Sequence, residues 1–249
     1  MDSLYKYSII LIFGFAALVF VILFFVSAPY GKFSRRGWGT AIRSKWAWMI
    51  MEMPSPALMI IFFISSKQKD LPQAIFLGVW LSHYLLRTFI YPFRQSGKQK
   101  PFPVLLVVMA LTFNCLNGFA NGYGIFRLST YDQSWIFSWQ FISGILFFLA
   151  GFAINKTADE KFRMIREQNH SEYVIPEGWM FEYISCPHYL GEITEWAGWA
   201  LMTWSVPGLA FFIFTFANLF PRAIRTHKWY QSKFPGYPNN RKAVIPFII

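Results

Sequence analysis

Long apolar runs broken by short, mostly basic loops divide the chain into seven candidate membrane helices. Ser8–Ala28 is uncharged and long enough to span. Trp46–Ser66 holds one charge, Glu52, followed by Pro54 and Pro56; prolines there are expected to kink the helix and free backbone carbonyls beside the acid. Leu71–Phe93 has Arg87 as its only formal charge, with His83 and Tyr84 just before it. Phe102–Gly122 is uncharged but contains Asn114, Asn117 and Asn121, and Ser134–Asn155 is the fifth run. Lys156–Ser185 is the longest polar segment, and its first half reads as an amphipathic helix. Cys186–Trp204 is the sixth span, and a turn at Ser205–Gly208 leads into a seventh that ends near Phe220. The first run is too long for a signal-peptide core and lacks a strongly basic leader, so it is expected to be retained.

The sixth run, CPHYLGEITEWAGWALMTW, departs furthest from a plain lipid-facing helix. His188, Glu192 and Glu195 follow one another at spacings of four and three, which places them on one helical face. Carboxylates in hydrocarbon need partners, a cavity or a ligand. Either Arg or Lys from neighbouring helices pairs with them to hold the bundle together, or they serve a site.

Loops one, three and five hold five, three and four Lys/Arg, and the tail from Pro221 holds six; the N-terminus and loops two and four hold one, two and one. The positive-inside rule then puts the N-terminus outside and the C-terminus in the cytoplasm, which requires an odd number of spans. The fold expected is an all-α integral membrane protein, a single seven-helix domain over residues 1–249. With 55% hydrophobic and only 14% charged residues, and a mean hydropathy of +0.35, a soluble globule is excluded. The net charge of +11 on so apolar a chain points to inner-leaflet lipid and an anionic ligand rather than nucleic acid. Cys115 lies in one apolar run and Cys186 at the edge of another, so no structural disulfide is expected.

Depth sharpens the picture. At about 1.5 Å per residue, Glu52 lies roughly 9 Å below the cytoplasmic end of its helix, Glu192 at a similar depth, and Glu195 and Tyr84 about one turn deeper. Arg87 and Asn155 are nearer the surface. The polar residues of four helices thus fall in the inner half of the membrane, with aromatic and aliphatic walls beyond. This describes a pocket open to the cytoplasm with an apolar upper chamber; a transport path would need polar groups through both halves.

The chemistry can be narrowed by residue type. His188, Glu192 and Glu195 have plausible metal-ligand spacing, but the four histidines, His83, His170, His188 and His227, are scattered, and no metal is expected. No stretch reads GxGxxG or GxxxxGK[ST], and there is no nucleophile elbow. A nucleotide must therefore be held by side chains and helix ends. Lys32, Arg87, Lys100, Arg166, Arg222 and Arg225 are available for an anion; ordinary positive-inside charge is the better explanation for most of the loop residues, but not for Arg87, which is embedded. Asn155 and Asp159, a turn apart, suit an amide or ribose, or a helix cap. A carboxyl in an apolar wall tends to keep its proton. A neutral Glu52 and the phenol of Tyr84 can then both donate to one carbonyl oxygen, the arrangement that stabilises an enolate.

Several motifs together resemble the steroid 5α-reductases, the 3-oxo-5α-steroid 4-dehydrogenase family. They are WAWMIMEMPSPA around Glu52, SHYLLRTFIYPF with Tyr84 and Arg87, LGEITEWAGWALMTWSVPGLAF, and the tail FPGYPNNRKAVIPFII. The resemblance covers most of the chain, and the C-terminal signature falls within about 134–249. Tail length and composition suggest a bacterial member, hence a multi-pass protein of the bacterial inner membrane. The resemblance implies an NADPH-dependent reductase of 3-oxo-Δ4 steroids. Glu52 and Tyr84 match the pair that engages the 3-keto oxygen, and Trp48 matches an aromatic wall of the steroid pocket. Lys32, Arg87, Lys100, Asn155, Asp159, Arg166, Tyr173, His188, Glu192, Glu195, Arg222 and Tyr230 match positions that hold NADPH. His188 stands where relatives can have Asn, Lys100 replaces an Arg of some members, and Asn218 stands where a bulkier apolar residue is expected on the steroid wall.

The implied protein is a monomer among membrane lipids, with its steroid or related lipid substrate arriving from the bilayer and its active site open to the cytoplasm. Competing readings are a reductase of a polyprenol-type or enoyl-thioester lipid, a membrane enzyme like the isoprenylcysteine methyltransferases, and a lipid-binding or transport bundle. The Glu52 and Tyr84 pair favours a ketone.

Overall fold

The computed structural model describes residues 1–95, 98–169 and 173–249; His170 lies outside them. Its elements in chain order are α1 (Asp2–Phe25), β1 (Ala41–Arg43), α2 (Ser44–Glu52), α3 (Pro54–Ile64), α4 (Leu71–Leu85), α5 (Tyr91–Arg94), β2 (Pro101–Pro103), α6 (Val104–Tyr123), α7 (Trp139–Gln168), α8 (Pro187–Thr203) and α9 (Val206–Lys233). Among the described residues, six helical stretches are long and apolar enough to cross a membrane: Asp2–Phe25, Ser44–Ile64, Leu71–Arg94, Val104–Leu128, Trp139–Gln168 and Val206–Lys233. The sixth expected span, Cys186–Trp204, forms as α8 but with 17 residues is shorter than these.

Pro54 and Pro56 act as expected. The second run breaks at Met53 into α2 and α3 because Pro54 and Pro56 supply no N–H to the preceding turn. The third run continues without a gap through a π-turn, Leu86–Ile90, into α5. That turn carries Arg87, and wide turns of this kind recur at functional sites.

Several boundaries differ from the sequence expectation; α1 starts at Asp2 and ends at Phe25 instead of covering Ser8–Ala28. The fifth run and the amphipathic segment after it are one helix, α7, of 30 residues. At about 45 Å it outruns the bilayer core, so its last turns stand clear of the hydrocarbon. The last helix does not stop near Phe220; α9 runs through Pro221 for 28 residues, since a proline removes one hydrogen bond and neighbouring helices hold the rest. The fourth run starts at Val104 because the residues before it pair as a short antiparallel ladder, Ala41 with Pro103, Ile42 with Phe102 and Arg43 with Pro101. This ladder ties the first basic loop to the third and fixes Lys100, whose carbonyl accepts from the Ser44 N–H at 2.9 Å.

The tail folds back instead of trailing. The Ser185 and Cys186 N–H groups donate to the Lys242 and Ala243 carbonyls, and buried Arg241 donates to the Pro176 carbonyl at 2.9 Å. Between α8 and α9, Trp204 takes a left-handed conformation (φ 44°), and Ser205 caps α9 by accepting from the Gly208 N–H. The main core is aromatic, built on Phe76, Trp80, Tyr84, Phe148, Trp196 and Trp199. Cys115 and Cys186 are both free thiols.

Candidate active site

Glycines bring the site together. Gly144 and Gly151 on α7 face Gly198 and Gly191 on α8, seven residues apart on each helix. A Cβ on Gly151 would strike the backbone of Glu195 and Gly191, and one on Gly191 the backbone of Asn155 and Gly151. Such close backbone approach is a feature of helix pairs in membranes. It lets Asn155 Nδ2 donate to the His188 carbonyl at 2.9 Å and lie 3.5 Å from Glu192 Oε2. From the π-turn Arg87 comes to 3.9 Å of the same Glu192 oxygen. Its guanidinium sits 4.7 Å over the Trp48 ring and 5.0 Å over Tyr91, with Glu52 and Asp159 also in electrostatic range.

The three polar residues of the α8 face part company. The His188 ring packs on Phe162 and Tyr189, and Glu192 turns toward Arg87. Glu195, fully buried, has Oε1 2.8 Å from Nδ1 of His83, itself only 3% exposed. Among the described residues no group of three or more His, Cys, Asp or Glu is arranged to hold a metal ion.

Tyr84 is buried, stacks on Trp80 at 5.0 Å and lies in interaction range of Glu52 and Ser55. Glu52, the last residue of α2, keeps partial exposure. Asn114 Nδ2 donates to the Met51 carbonyl at 2.7 Å and to Glu52 Oε2 at 3.4 Å. One amide therefore serves a carbonyl at the proline break and orients the acid. Trp48 stands one turn before Glu52, edge-on to Tyr91 at 5.2 Å. Beyond Tyr84, the apolar chamber read from the sequence is built as closely packed aromatics: Trp80, Trp196, Trp199, Phe76 and Phe148 are all under 2% exposed.

The remaining expected residues form a crown of cations on aromatic rings. Lys32 Nζ lies 4.8 Å from the Tyr230 ring and 5.0 Å from Trp229. Arg166 lies 4.8 Å from the ring of Tyr173, and Lys100 5.8 Å from the same ring. Tyr173 meets Trp229 edge-on at 5.3 Å. Arg222 sits between Tyr30 (5.1 Å) and Tyr189 (5.4 Å). Burial lowers the Lys32 ammonium from its ordinary range to about 8, and neighbouring Arg166 pushes in the same direction. His188, in electrostatic range of Lys32, Arg87 and Arg166, joins the crown to the Arg87 group. Arg225 does not converge with them. Its guanidinium donates to the Leu23 and Phe24 carbonyls and to Ser27 Oγ, closing the end of α1, whose last carbonyls have no partner within the helix.

Buried polar atoms left without partners gather here: Arg87 Nε, Asn155 Oδ1, Asp159 Oδ2, His188 Nδ1 and Glu195 Oε2. Buried polar groups are normally satisfied. A mixed donor and acceptor set beneath a cationic rim fits a ligand that carries an amide, ribose hydroxyls and phosphates. His83, Tyr91, Asn114, Tyr30, Tyr189 and Trp229 also belong to the site, though no role for them is evident from the sequence. A buried histidine beside Tyr84 and asparagines in an apolar run were visible signals; the aromatic partners of the cations come from distant segments and gave none.

A multi-pass helical membrane protein with a half-buried acid and a buried phenol beside a cation-rimmed polar layer is the class that fold and site define. Residues 100–249 match the sequence profile of the family described as 3-oxo-5-alpha-steroid 4-dehydrogenase. The chain is 42% identical over 237 residues to steroid 5-alpha-reductase DET2 of Arabidopsis thaliana, covering 92% of this chain and 90% of the relative. It is 36% identical over 235 residues to 3-oxo-5-alpha-steroid 4-dehydrogenase 1 of Bos taurus, covering 92% and 91%, and 37% identical over 225 residues to the Homo sapiens protein of that name, covering 89% and 86%. The chain belongs to the 3-oxo-5-alpha-steroid 4-dehydrogenase family.

Proposed function

We propose that the chain reduces the Δ4 double bond of 3-oxo-Δ4 steroids to 5α-3-oxosteroids, using NADPH. Within this family, the observation that carries the reading is the placement of Tyr84 and Glu52 beside a layer of buried, unpartnered polar atoms. A nicotinamide cofactor supplies the hydride that C5, the β-carbon of the enone, accepts, and the enolate so formed takes up a proton from the medium at C4 to restore the 3-keto group. Asn155, Asp159, His188, Glu192 and Glu195 hold its nicotinamide and ribose, Arg87 bridges, and Lys32, Lys100, Arg166, Tyr173, Arg222 and Tyr230 take the phosphates and adenine. Four cations in the crown suit NADPH better than its form lacking the extra phosphate.

Tyr84 and Glu52 donate to the 3-keto oxygen and draw charge from C5 toward it, so that negative charge developing on the oxygen is met by two donors. Asn114 keeps Glu52 aimed, and Trp48 flanks the ring system. The packed aromatics beyond Tyr84 keep water from the reacting carbons. Because Glu52 stays partly open while Tyr84 is closed in, the substrate approaches from the bilayer along the Glu52 and Trp48 side.

The chain crosses the membrane seven times, with α8 as the additional short span, the N-terminus outside, and the site facing the cytoplasm; the basic loops support this. In a bacterium that is the inner membrane. The protein works as a monomer among lipids.

Purified protein mixed with NADPH and testosterone should show loss of the nicotinamide absorbance. Oxidation driven instead by a polyprenol or an enoyl thioester, with none by steroid, would overturn the substrate. Arg87→Ala should weaken NADPH binding about tenfold or more, as expected for one charged contact; an unchanged affinity would remove it from the cofactor site.

A further inference from the structure

A groove of about 440 Å³ lies between the end of α1 and the last turns of α9, lined by Phe24, Ser27, Phe33, Arg225, Lys228 and Trp229 among others. It borders the cation crown at Trp229 but takes in none of the crown's cations, and no acidic residue is among the described residues that line it. Arg35 adds a third cation at its edge, donating to the Ser27 carbonyl at 3.2 Å. Arg35 and Lys228 are exposed.

The groove sits at the depth where hydrocarbon ends. Helix α1 ends at Phe25, and α9 changes from apolar to basic after Phe220. Below it an aromatic seam runs between the two helices: Phe20 against Phe24 (5.1 Å), Phe20 stacked with Phe216 (6.4 Å), and Phe216 with Phe220 (4.9 Å). Phe25, 77% exposed, extends the apolar track. Cations above and a greasy seam below match a phosphate on two acyl chains, and basic residues at this level attract anionic lipid. Trp229 adds an amphipathic ring of the type that settles at headgroup level.

We propose that this groove is a specific site for one anionic phospholipid, its phosphate held by Lys228 and Arg35 and its chains laid on the Phe20, Phe216 and Phe220 seam. Arg225 is committed to the carbonyls of α1 and serves as the fixed floor. A soluble phosphate ester would find the same cations but gain nothing from the seam.

The test uses the full chain purified in a neutral detergent. Phosphatidylglycerol, phosphatidylcholine or glycerol phosphate is added, and thermal unfolding is followed without cofactor or steroid. Phosphatidylglycerol should raise the midpoint by about 3 °C more than phosphatidylcholine, the size expected of about 1 kcal/mol for a chain of this length. One lipid should survive in native mass spectra. In the Lys228→Gln, Arg35→Gln double variant the difference should vanish, while midpoints in phosphatidylcholine match the parent. Equal shifts by the two lipids, a shift by glycerol phosphate alone, or a shift that survives the double substitution would overturn the proposal.

Discussion

In the proposed reaction Tyr84 and Glu52 meet the substrate at one oxygen, and a hydrogen bond to developing charge in a dry site is worth far more than in water. Tyr84→Phe and Glu52→Gln should each lower kcat by about 10²- to 10³-fold and leave NADPH affinity near the parent value; full turnover by either variant in membranes would remove that residue from catalysis. Lys32 makes a different prediction. With the ammonium lowered to about 8 by burial, it is charged below that pH and loses its proton above it. Affinity for an anionic cofactor should therefore fall as pH rises through about 8. Lys32→Arg, charged throughout, should flatten the profile when Kd is measured by cofactor fluorescence; an unchanged slope would show that Lys32 is not the titrating cation. Glu52, Arg87, Glu192 and Glu195 were legible in the sequence because a lone charge in hydrocarbon stands out. The link from His83 to Glu195 was not, because it joins residues over a hundred positions apart, and neither residue type names the other.

At the scale of elements, the α7 and α8 pair holds the site. Its glycines let backbones touch, so any side chain at the contact must push the helices apart. Gly151→Ala and Gly191→Ala should each cost about 1–3 kcal/mol through overpacking and weaken NADPH binding before the fold fails, as seen by comparing Kd with the thermal midpoint. A variant with normal midpoint and normal Kd would show that the close approach is not needed. The break between α2 and α3 was readable from Pro54 and Pro56, whereas Pro221 does not end α9 because neighbouring helices hold the rest of its hydrogen bonds. The merging of the fifth span with the amphipathic segment was hidden because hydropathy changes at Lys156 while the backbone hydrogen bonds do not. The seven-residue glycine spacing was readable on each helix separately, but only the pairing gives it meaning.

Over the whole molecule, basic loops, the β1–β2 ladder and the folded-back tail gather on one side, and the polar layer lies just inside it. Single-cysteine reporters at Lys6 and Lys233, exposed at opposite ends of the chain, should react with a membrane-impermeant thiol reagent from opposite faces of sealed vesicles. Labelling from the same face would mean an even number of crossings and an α8 that does not span. The mainly helical, multi-pass character was plain from hydropathy; the filling of the expected chamber by Trp80, Trp196 and Trp199 was not, since an aromatic run reads alike whether it lines a cavity or closes one. The most direct measurement is isotopic. NADPH deuterated at its transferable hydrogen is incubated with the purified protein and a 3-oxo-Δ4 steroid, and the product is analysed by mass spectrometry and NMR. One deuterium is expected at C5, in the 5α configuration, with the 3-keto group intact; deuterium at C3 in a 3-hydroxysteroid, or no transfer at all, would rule out Δ4 reduction by this site.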